Sequence, residues 1–353
     1  MPAYTLMIRN RTQFTLIALA LYLLAGTAFG QKPTPAPAPK PPKTTTPRPS
    51  VHAPVAPPEF PSYQTGGVTS EKAVATDNSV NIKLCVLEGR LKINGWQRDE
   101  VRVFVKNGSK FGLKVLEKNP ESSKPVWVLV MAVAETRTPG RTTECIAGET
   151  VEVDVPMGAS LNVSGRSTQT SVDSVKKISF KNVEGSVSLR NITGGIVAST
   201  YQGDLTVENS GGAISLESGT GNIAAYEVTP GQVGDLFKVK TNSGAISLQQ
   251  LAHRQIEANS ISGTLLFNGK FLDGGLYNFK TSKGDIRLLL PGNTSCTVQA
   301  TYGYGSFNSD LPLKKLTENL TPNSSTVVAK IGGGESCNVR LISSTGSIGI
   351  KKQ

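Results

Sequence analysis

A glycine that recurs at fixed spacing constrains the fold of this chain more than any other sequence feature. Five glycines follow one another at intervals of nine residues, and five more stand in the same local setting at longer intervals. They are Gly185, Gly194, Gly203, Gly212, Gly221, Gly244, Gly263, Gly284, Gly305 and Gly346. The second residue after each glycine is apolar in all ten cases, and the fourth is apolar in nine. Alternation of period two after a turn-forming glycine predicts a short strand with one buried face.

The length of these units predicts how the strands assemble. A nine-residue unit holds about five residues of strand and four of turn, so two units make a coil of roughly 18–21 residues. A single coil leaves its apolar row exposed, and therefore neighbouring coils must stack to bury it. We expect an all-β fold, with a β-solenoid-like stack of short strands over residues 158–353. An antiparallel sandwich, with turns about every 8–12 residues, is the competing architecture.

Residues 73–157 are less regular, and we expect them to form an N-terminal β cap over the open end of the solenoid. Strands are predicted in three segments, 101–105, 126–133 and 151–156. The dipeptide Asn94-Gly95 predicts a tight turn. Trp96 and Trp127 also lie in this region, where a role in the core is favoured over a platform for sugar binding.

The first thirty residues have the pattern of a secretory signal peptide. Arg9 and Arg11 precede an apolar run at residues 14–24, and small residues follow up to Gly30. A membrane-spanning helix needs about 20 apolar residues, and this run is shorter. Cleavage of the signal peptide is therefore favoured, and an uncleaved membrane anchor is the alternative.

Residues 31–61 hold most of the 21 prolines and predict a disordered, Pro-rich spacer in polyproline II conformation. We expect this spacer to hold the folded region away from a membrane or cell-wall layer, as a stand-off arm. A passive linker is the alternative. The signal and the spacer together carry nearly half of the net charge of +11, and the remaining chain has no dense basic run. A nucleic-acid partner is therefore not expected.

Four cysteines in an exported chain predict two disulfides, for which three pairings exist. We favour the two local pairs, Cys85 with Cys145 and Cys296 with Cys337, which would staple each end of the fold. Metal binding and buried free thiols are the alternatives, although the chain contains no Cys-x-x-Cys motif.

A search for catalytic residues finds little. A polysaccharide-cleaving β-helix enzyme would need paired carboxylates on one face. Asp204 and Asp285 follow a repeat glycine at the same position, which is ordinary turn chemistry. The only histidines are His52, in the spacer, and His253, which we expect at the surface. No catalytic, cofactor or metal site is predicted.

Two aromatic side chains, Tyr302 and Tyr304, could contact a glycan, although stacking of aromatic rings within the solenoid is the favoured role.

Several short motifs along residues 80–353 are similar to motifs of a single known protein family. They are EGRLKINGW at 88–96 with DEVRV at 99–103, VDVP at 153–156 with ASLNV at 159–163, Ser-Gly units at 210–216 and 243–248, and TGSIGI at 345–350. Together they resemble a bacterial domain-of-unknown-function family labelled "putative adhesin". The resemblance implies an exported, right-handed β-solenoid-like protein and brings no catalytic residues with it. Residues 311–326 depart from the repeat and leave the number of coils there open.

These observations predict an exported, envelope-associated and non-catalytic surface scaffold or binding module, in the periplasm or at the cell surface, with release into the medium as a further option. The expected partner is a cell-wall or surface glycan or an envelope protein, contacted through the outer face. The alternatives are a carbohydrate-active β-helix enzyme and a purely structural envelope protein. The enzyme requires that outward carboxylates such as Asp204, Asp285 and Glu217 converge.

Overall fold

The computed structural model describes residues 67–133, 145–231, 235–333 and 336–353. The predicted signal peptide at 1–30, the spacer at 31–61 and His52 lie outside these residues. The described residues belong to one compact unit. Every regular element in the described ranges is a strand, and none of them contains a helix with the length and hydrophobicity to cross a membrane.

The first strands belong to the N-terminal region and to the start of the stack. They are β1 Val68–Ala75, β2 Asn81–Trp96, β3 Glu100–Gly108, β4 Phe111–Lys118, β5 Pro125–Ala132, β6 Gly148–Pro156, β7 Ser160–Asp173, β8 Lys177–Glu184 and β9 Val187–Arg190. The regular coils follow. Their strands are β10 Ile196–Gln202, β11 Leu205–Glu208, β12 Ile214–Thr220, β13 Ile223–Val228, β14 Leu236–Ser243, β15 Ile246–Leu251, β16 Gln255–Ser262, β17 Leu265–Asn268, β18 Gly275–Lys283 and β19 Ile286–Leu290. The C-terminal strands are β20 Cys296–Tyr304, β21 Phe307–Ser309, β22 Leu313–Thr321, β23 Ser324–Ile331, β24 Cys337–Thr345 and β25 Ile348–Lys352.

Each regular coil consists of a longer strand, a corner and a shorter strand. The longer strands stack in parallel as one ladder, the long ladder, which contains β8, β10, β12, β14, β16, β18, β24 and β20. The shorter strands stack in parallel as the short ladder, which contains β9, β11, β13, β15, β17, β19, β25 and β21. This parallel stacking confirms the β-solenoid-like prediction and excludes the antiparallel sandwich.

The predicted apolar rows form the core. Residues at the second and fourth positions after the repeat glycines are buried in nine of the ten units. In the tenth, Phe307 and Ser309 are only half-buried, because β21 lies at the edge of the short ladder. Ile178, Ile196 and Ile214 align across three long strands, so a coil here is 18 residues long.

The ten glycines occupy two different corners rather than one. Eight of them lie between a long and a short strand, with φ between 112° and 157°. They also stack on one another: a Cβ on Gly263 would overlap the carbonyl oxygen of Gly244 in the coil below. Gly194 and Gly212 lie instead in the second corner of the coil, the return turn that leads from a short strand to the next long strand. The nine-residue unit is therefore half a coil.

The last coil in the sequence is not the last coil in the stack. β24 lies between β18 and β20 in the long ladder, and β25 lies between β19 and β21 in the short ladder. The insert at 311–326 departs from the repeat as predicted, because β22 and β23 form an antiparallel hairpin whose second strand pairs with β20.

At the N-terminal end of the stack, parallel strand pairs are followed by antiparallel pairs. β2 and β7 each cross both ladders and pair in parallel, and β5 and β6 pair in parallel with successive parts of β2. β4 and β3 then pair antiparallel with β5 and β6, and β1 pairs antiparallel with β3.

Two sequence-based expectations in this region are wrong. Asn94-Gly95 is not a tight turn, because both residues continue β2 and pair with Asp154 and Val155. Glycine is required at position 95 because a Cβ there would overlap the carbonyl oxygen of Ser174. Trp96 and Trp127 are half-buried rather than core residues. The Trp96 indole N–H donates to the carbonyl of Glu100 at 2.7 Å.

Candidate functional site

The carboxylates that an enzyme would need do not converge. The Asp204 carboxylate accepts a hydrogen bond from the backbone N–H of Asn222 at 2.7 Å, and Asp285 accepts one from Ser347 at 2.9 Å. Each bond joins equivalent corner positions of stacked coils. Four strand spacings separate the two aspartates, about 19 Å, whereas glycosidase carboxylates stand roughly 5–10 Å apart. Glu217 lies on the long ladder and pairs with Lys240 at 3.0 Å.

The electrostatics of Asp285 agree with this structural role. The backbone hydrogen bond from Ser347, followed by the side chain of Arg287, lowers the pKa of the Asp285 carboxyl below its usual value. A general acid needs the opposite shift at neutral pH. The hydrogen bond from Ser347 to Asp285 therefore ties neighbouring coils together.

His253 is buried, so the expected surface position is wrong. Its ring lies in the return turn after β15, fully shielded from solvent, and packs edge-on against Phe237. Nε2 is 3.1 Å from the carbonyl oxygen of Gly212 and must carry the proton, while Nδ1 is buried and has no hydrogen-bond partner among the described residues. Burial lowers the pKa of His253, although the Gly212 carbonyl and Asp235 act in the opposite direction. His253 is therefore a neutral core residue.

The two tyrosines proposed as glycan contacts have different environments. Tyr302 points inward beside Ser343 and packs against the core. Tyr304 is 68% exposed near the corner that follows β20. They do not form a shared platform, and Tyr304 alone stays accessible. Tyr201, which the sequence did not single out, is 74% exposed near the equivalent corner of an earlier coil.

Both disulfides join the cysteine pairs that the sequence favoured. Cys85 on β2 is bonded to Cys145, which precedes β6, with 4.4 Å between their Cα atoms. Cys296 and Cys337, the first residues of β20 and β24, are bonded to each other, with 4.6 Å between their Cα atoms. Across the described ranges, no group of three or more His, Cys, Asp and Glu side chains could hold a metal ion.

A column of buried polar side chains was missed by the sequence analysis. It lies three residues before the corner glycines and consists of Asn182, Thr200, Ser218, Thr241, Ser260, Thr281 and Ser343. The hydroxyl of Thr281, for example, donates to the carbonyl of Gly263 at 3.0 Å in the coil below. The sequence does show this column, as a Ser, Thr or Asn three residues before each of these seven glycines. Its role is to satisfy the carbonyls that the tight glycine corner leaves buried.

The long ladder forms a groove on its outer surface near the C-terminal end of the stack. The groove has a volume of about 470 Å³ and is lined by five neighbouring strands, β16, β18, β24, β20 and β23. One row of side chains crosses it in register: Glu257, Asn278, Arg340, Gln299 and Val328. Four strand spacings make this row about 19 Å long.

Several polar groups in this groove have no role in the fold. The side chains of Arg340, Gln299 and Asn338 are exposed, and none of them has a partner among the residues that the structure describes. The Oδ1 atom of Asn278 is buried and also lacks a partner. Buried polar atoms are almost always hydrogen-bonded, so this row is equipped to bind something outside the chain.

Comparisons with known proteins place the chain in a family without assigning an activity. The family model described as Toastrack DUF4097 matches residues 77–351. A solved structure described as a "putative cell adhesion protein", from Clostridium sporogenes, is similar at 10% identity with a TM-score of 0.25. That match covers 81% of this chain and 100% of the other. No curated protein matches.

Proposed function

Because the chain belongs to the Toastrack DUF4097 family, a β-solenoid-like domain of unknown function, we propose that it is an exported, envelope-associated binding module. In this proposal the protein contacts a polymer of the cell envelope through the outer surface of the long ladder and catalyses no reaction. The observation that carries the proposal is the groove, where Asn278, Gln299, Asn338 and Arg340 present polar groups that the fold does not use.

Export is supported by two independent features. Disulfides persist in oxidising compartments, and each end of the stack carries one, Cys85–Cys145 and Cys296–Cys337. The N-terminal sequence has the three parts of a secretory signal. The Pro-rich segment that follows would hold the folded unit at a distance from the surface to which it is attached or from which it emerges.

The absence of catalysis is supported by the roles of the carboxylates. Asp204 and Asp285 bind backbone N–H groups of neighbouring coils, and Glu217 binds Lys240. A binding role also suits the mechanics of the site, since side chains on a continuous ladder are held more precisely than side chains on loops.

Co-sedimentation with insoluble envelope polymer tests this proposal. The purified protein is mixed with envelope material from the producing organism, and we expect it in the pellet. The double variant Gln299→Ala/Asn338→Ala should remain largely in solution, whereas Gln202→Ala, an exposed glutamine on β10, should sediment like the unaltered protein. Equal sedimentation of all three proteins would contradict the proposed surface.

The same mixtures test for catalysis. Soluble fragments and new reducing ends are measured over time, and we expect no increase over polymer alone. Release of fragments that depends on the protein would instead support the carbohydrate-active alternative. Failure of the protein to bind any envelope fraction would favour a purely structural role.

A further inference from the structure

The groove contains a cation that the fold leaves uncompensated. Arg340 projects from β24, is exposed, and has no hydrogen-bond or ion-pair partner in the part of the chain that the structure describes. Some other arginines are paired within the fold: Arg190 binds Asp173 at 2.8 Å, and Arg287 binds Asp285 at 3.0 Å. A guanidinium forms two parallel hydrogen bonds with a carboxylate, and at Arg340 that position is open.

The neighbours of Arg340 extend the site without neutralising it. Asn278 on β18 and Gln299 on β20 flank Arg340 in register, so that an amide-bearing residue stands on either side of it. Such amides can donate to and accept from hydroxyl groups. The Oδ1 atom of Asn278 is buried and has no hydrogen-bond partner among the described residues, so it is an acceptor that the described fold does not use.

The charge around the row favours an acidic ligand. Glu257 stands at one end of the row, where Lys238 lies 3.6 Å from its carboxylate. Lys280, two residues beyond Asn278 on the same side of β18, is exposed and has no partner among the described residues. Glu257 is paired, and Arg340 and Lys280 are two cations in and beside the groove that have no partner among the described residues.

The backbone of the groove favours a glycan over a peptide. β18, β24 and β20 each pair with a strand on both sides, so their backbone groups are not free to pair with an added peptide strand. A ligand can therefore be held only by side chains. Leu276, 53% exposed, and the half-buried Val328 add apolar surface on which the carbon face of a sugar ring can lie.

We propose that the groove binds a carboxylate-bearing glycan, with the carboxylate of one sugar unit on Arg340 and its hydroxyls on Asn278 and Gln299. This proposal rests on the proposed function and names the ligand class of the same surface. It predicts that binding is strongest at low ionic strength, because a charge–charge contact at an exposed groove is screened by salt.

Calorimetric titration of the purified full chain with oligogalacturonate tests the proposal, with a neutral cello-oligosaccharide of equal length as the comparison. We expect binding of the acidic oligosaccharide and much weaker binding of the neutral one. Arg340→Gln should weaken the acidic interaction by about tenfold or more, as loss of a charged hydrogen bond does. Arg340→Lys should recover part of it, because a lysine keeps the charge but not the planar fork.

The matched control is Arg166→Gln, which removes another exposed arginine without a described partner, on β7. It should bind oligogalacturonate like the unaltered protein. Both variants should keep the circular dichroism and the melting temperature, since neither side chain takes part in the fold. The proposal is overturned if the unaltered protein does not bind oligogalacturonate, binds both oligosaccharides equally, or binds unchanged after Arg340→Gln. If co-sedimentation with envelope material persists in those cases, the proposed function stands and only the ligand class fails.

Discussion

The hydroxyl of Thr281 lies inside its coil and donates to the Gly263 carbonyl at 3.0 Å, while the Ser343 hydroxyl donates to Gly284 at 2.9 Å. A corner built on glycine brings successive backbones so close that no side chain fits between them. The resulting carbonyls are partly shielded from water, and the hydroxyl supplies a donor from within the stack. At the scale of single residues, a small hydroxyl and a glycine therefore form one structural unit.

Thr281→Val tests this unit. Valine keeps the shape of threonine but removes the donor to a partly buried carbonyl, which should lower the free energy of unfolding by about 1 kcal/mol. Thr281→Ser keeps the donor and should cost less. Chemical denaturation of both variants gives the comparison, and a valine variant as stable as the serine variant would show that the hydrogen bond has no net value.

The burial of His253 predicts that the stability of the protein depends on pH between 7.5 and 5.5. Burial lowers its pKa in the folded state, so below about pH 6.5 the unfolded chain takes up a proton that the folded chain refuses. The free energy of unfolding should therefore fall as the pH decreases from 7.5 to 5.5. His253→Gln keeps a donor for Gly212 but does not titrate, and it should lose less stability over this interval. Identical pH profiles for the two proteins would contradict the assignment.

At the scale of elements, strand identity and burial could be predicted from the sequence because they depend on local alternation. β3, β5 and β6 lie close to their predicted positions, and the apolar rows are buried as expected. The turn at Asn94-Gly95 could not be excluded in this way, because the reason for that glycine is a carbonyl of Ser174 about eighty residues later. The same applies to His253, whose environment comes from other coils.

The C-terminal disulfide should stabilise the junction between β20 and β24. Its cysteines are 41 residues apart in the sequence, and removal of a native disulfide typically costs roughly 2–5 kcal/mol. We expect Cys296→Ser/Cys337→Ser to lower the midpoint of chemical unfolding, and reduction of the unaltered protein to have a similar effect. If the double variant unfolds at the same denaturant concentration as the oxidised protein, the bond does not stabilise this junction.

At the scale of the whole molecule, the order of the coils is the feature that the sequence could not predict. Every coil presents the same glycine corner and the same apolar rows, so many stacking orders satisfy the local pattern. In sequence order, β20 would lie beside β18 and Gln299 would lie beside Asn278. The insertion of β24 instead places Arg340 between them. The candidate site is therefore a product of the stacking order.

Removal of the inserted coil tests this order. A chain that ends at residue 336 lacks β24 and β25, and β18, β19, β20 and β21 all lose a neighbour. We expect rapid proteolysis across residues 275–331 and a broadened unfolding transition, because buried side chains such as Leu341 and Ile348 are lost from the middle of the stack. A chain that ends at residue 351 should behave like the intact protein. Unchanged protease resistance of the shorter chain would contradict the insertion.

In the proposed function, the outer groove of the long ladder is the surface that binds envelope polymer. Hydroxyl-radical footprinting of the protein, free and bound to envelope polymer, tests this claim directly because it reports the exposure of side chains. We expect bound polymer to protect Leu276 and Val328, which line the groove, and to leave Tyr201, 74% exposed on β10, as reactive as in the free protein. Protection of Tyr201 with unchanged reactivity of Leu276 and Val328 would contradict the claim.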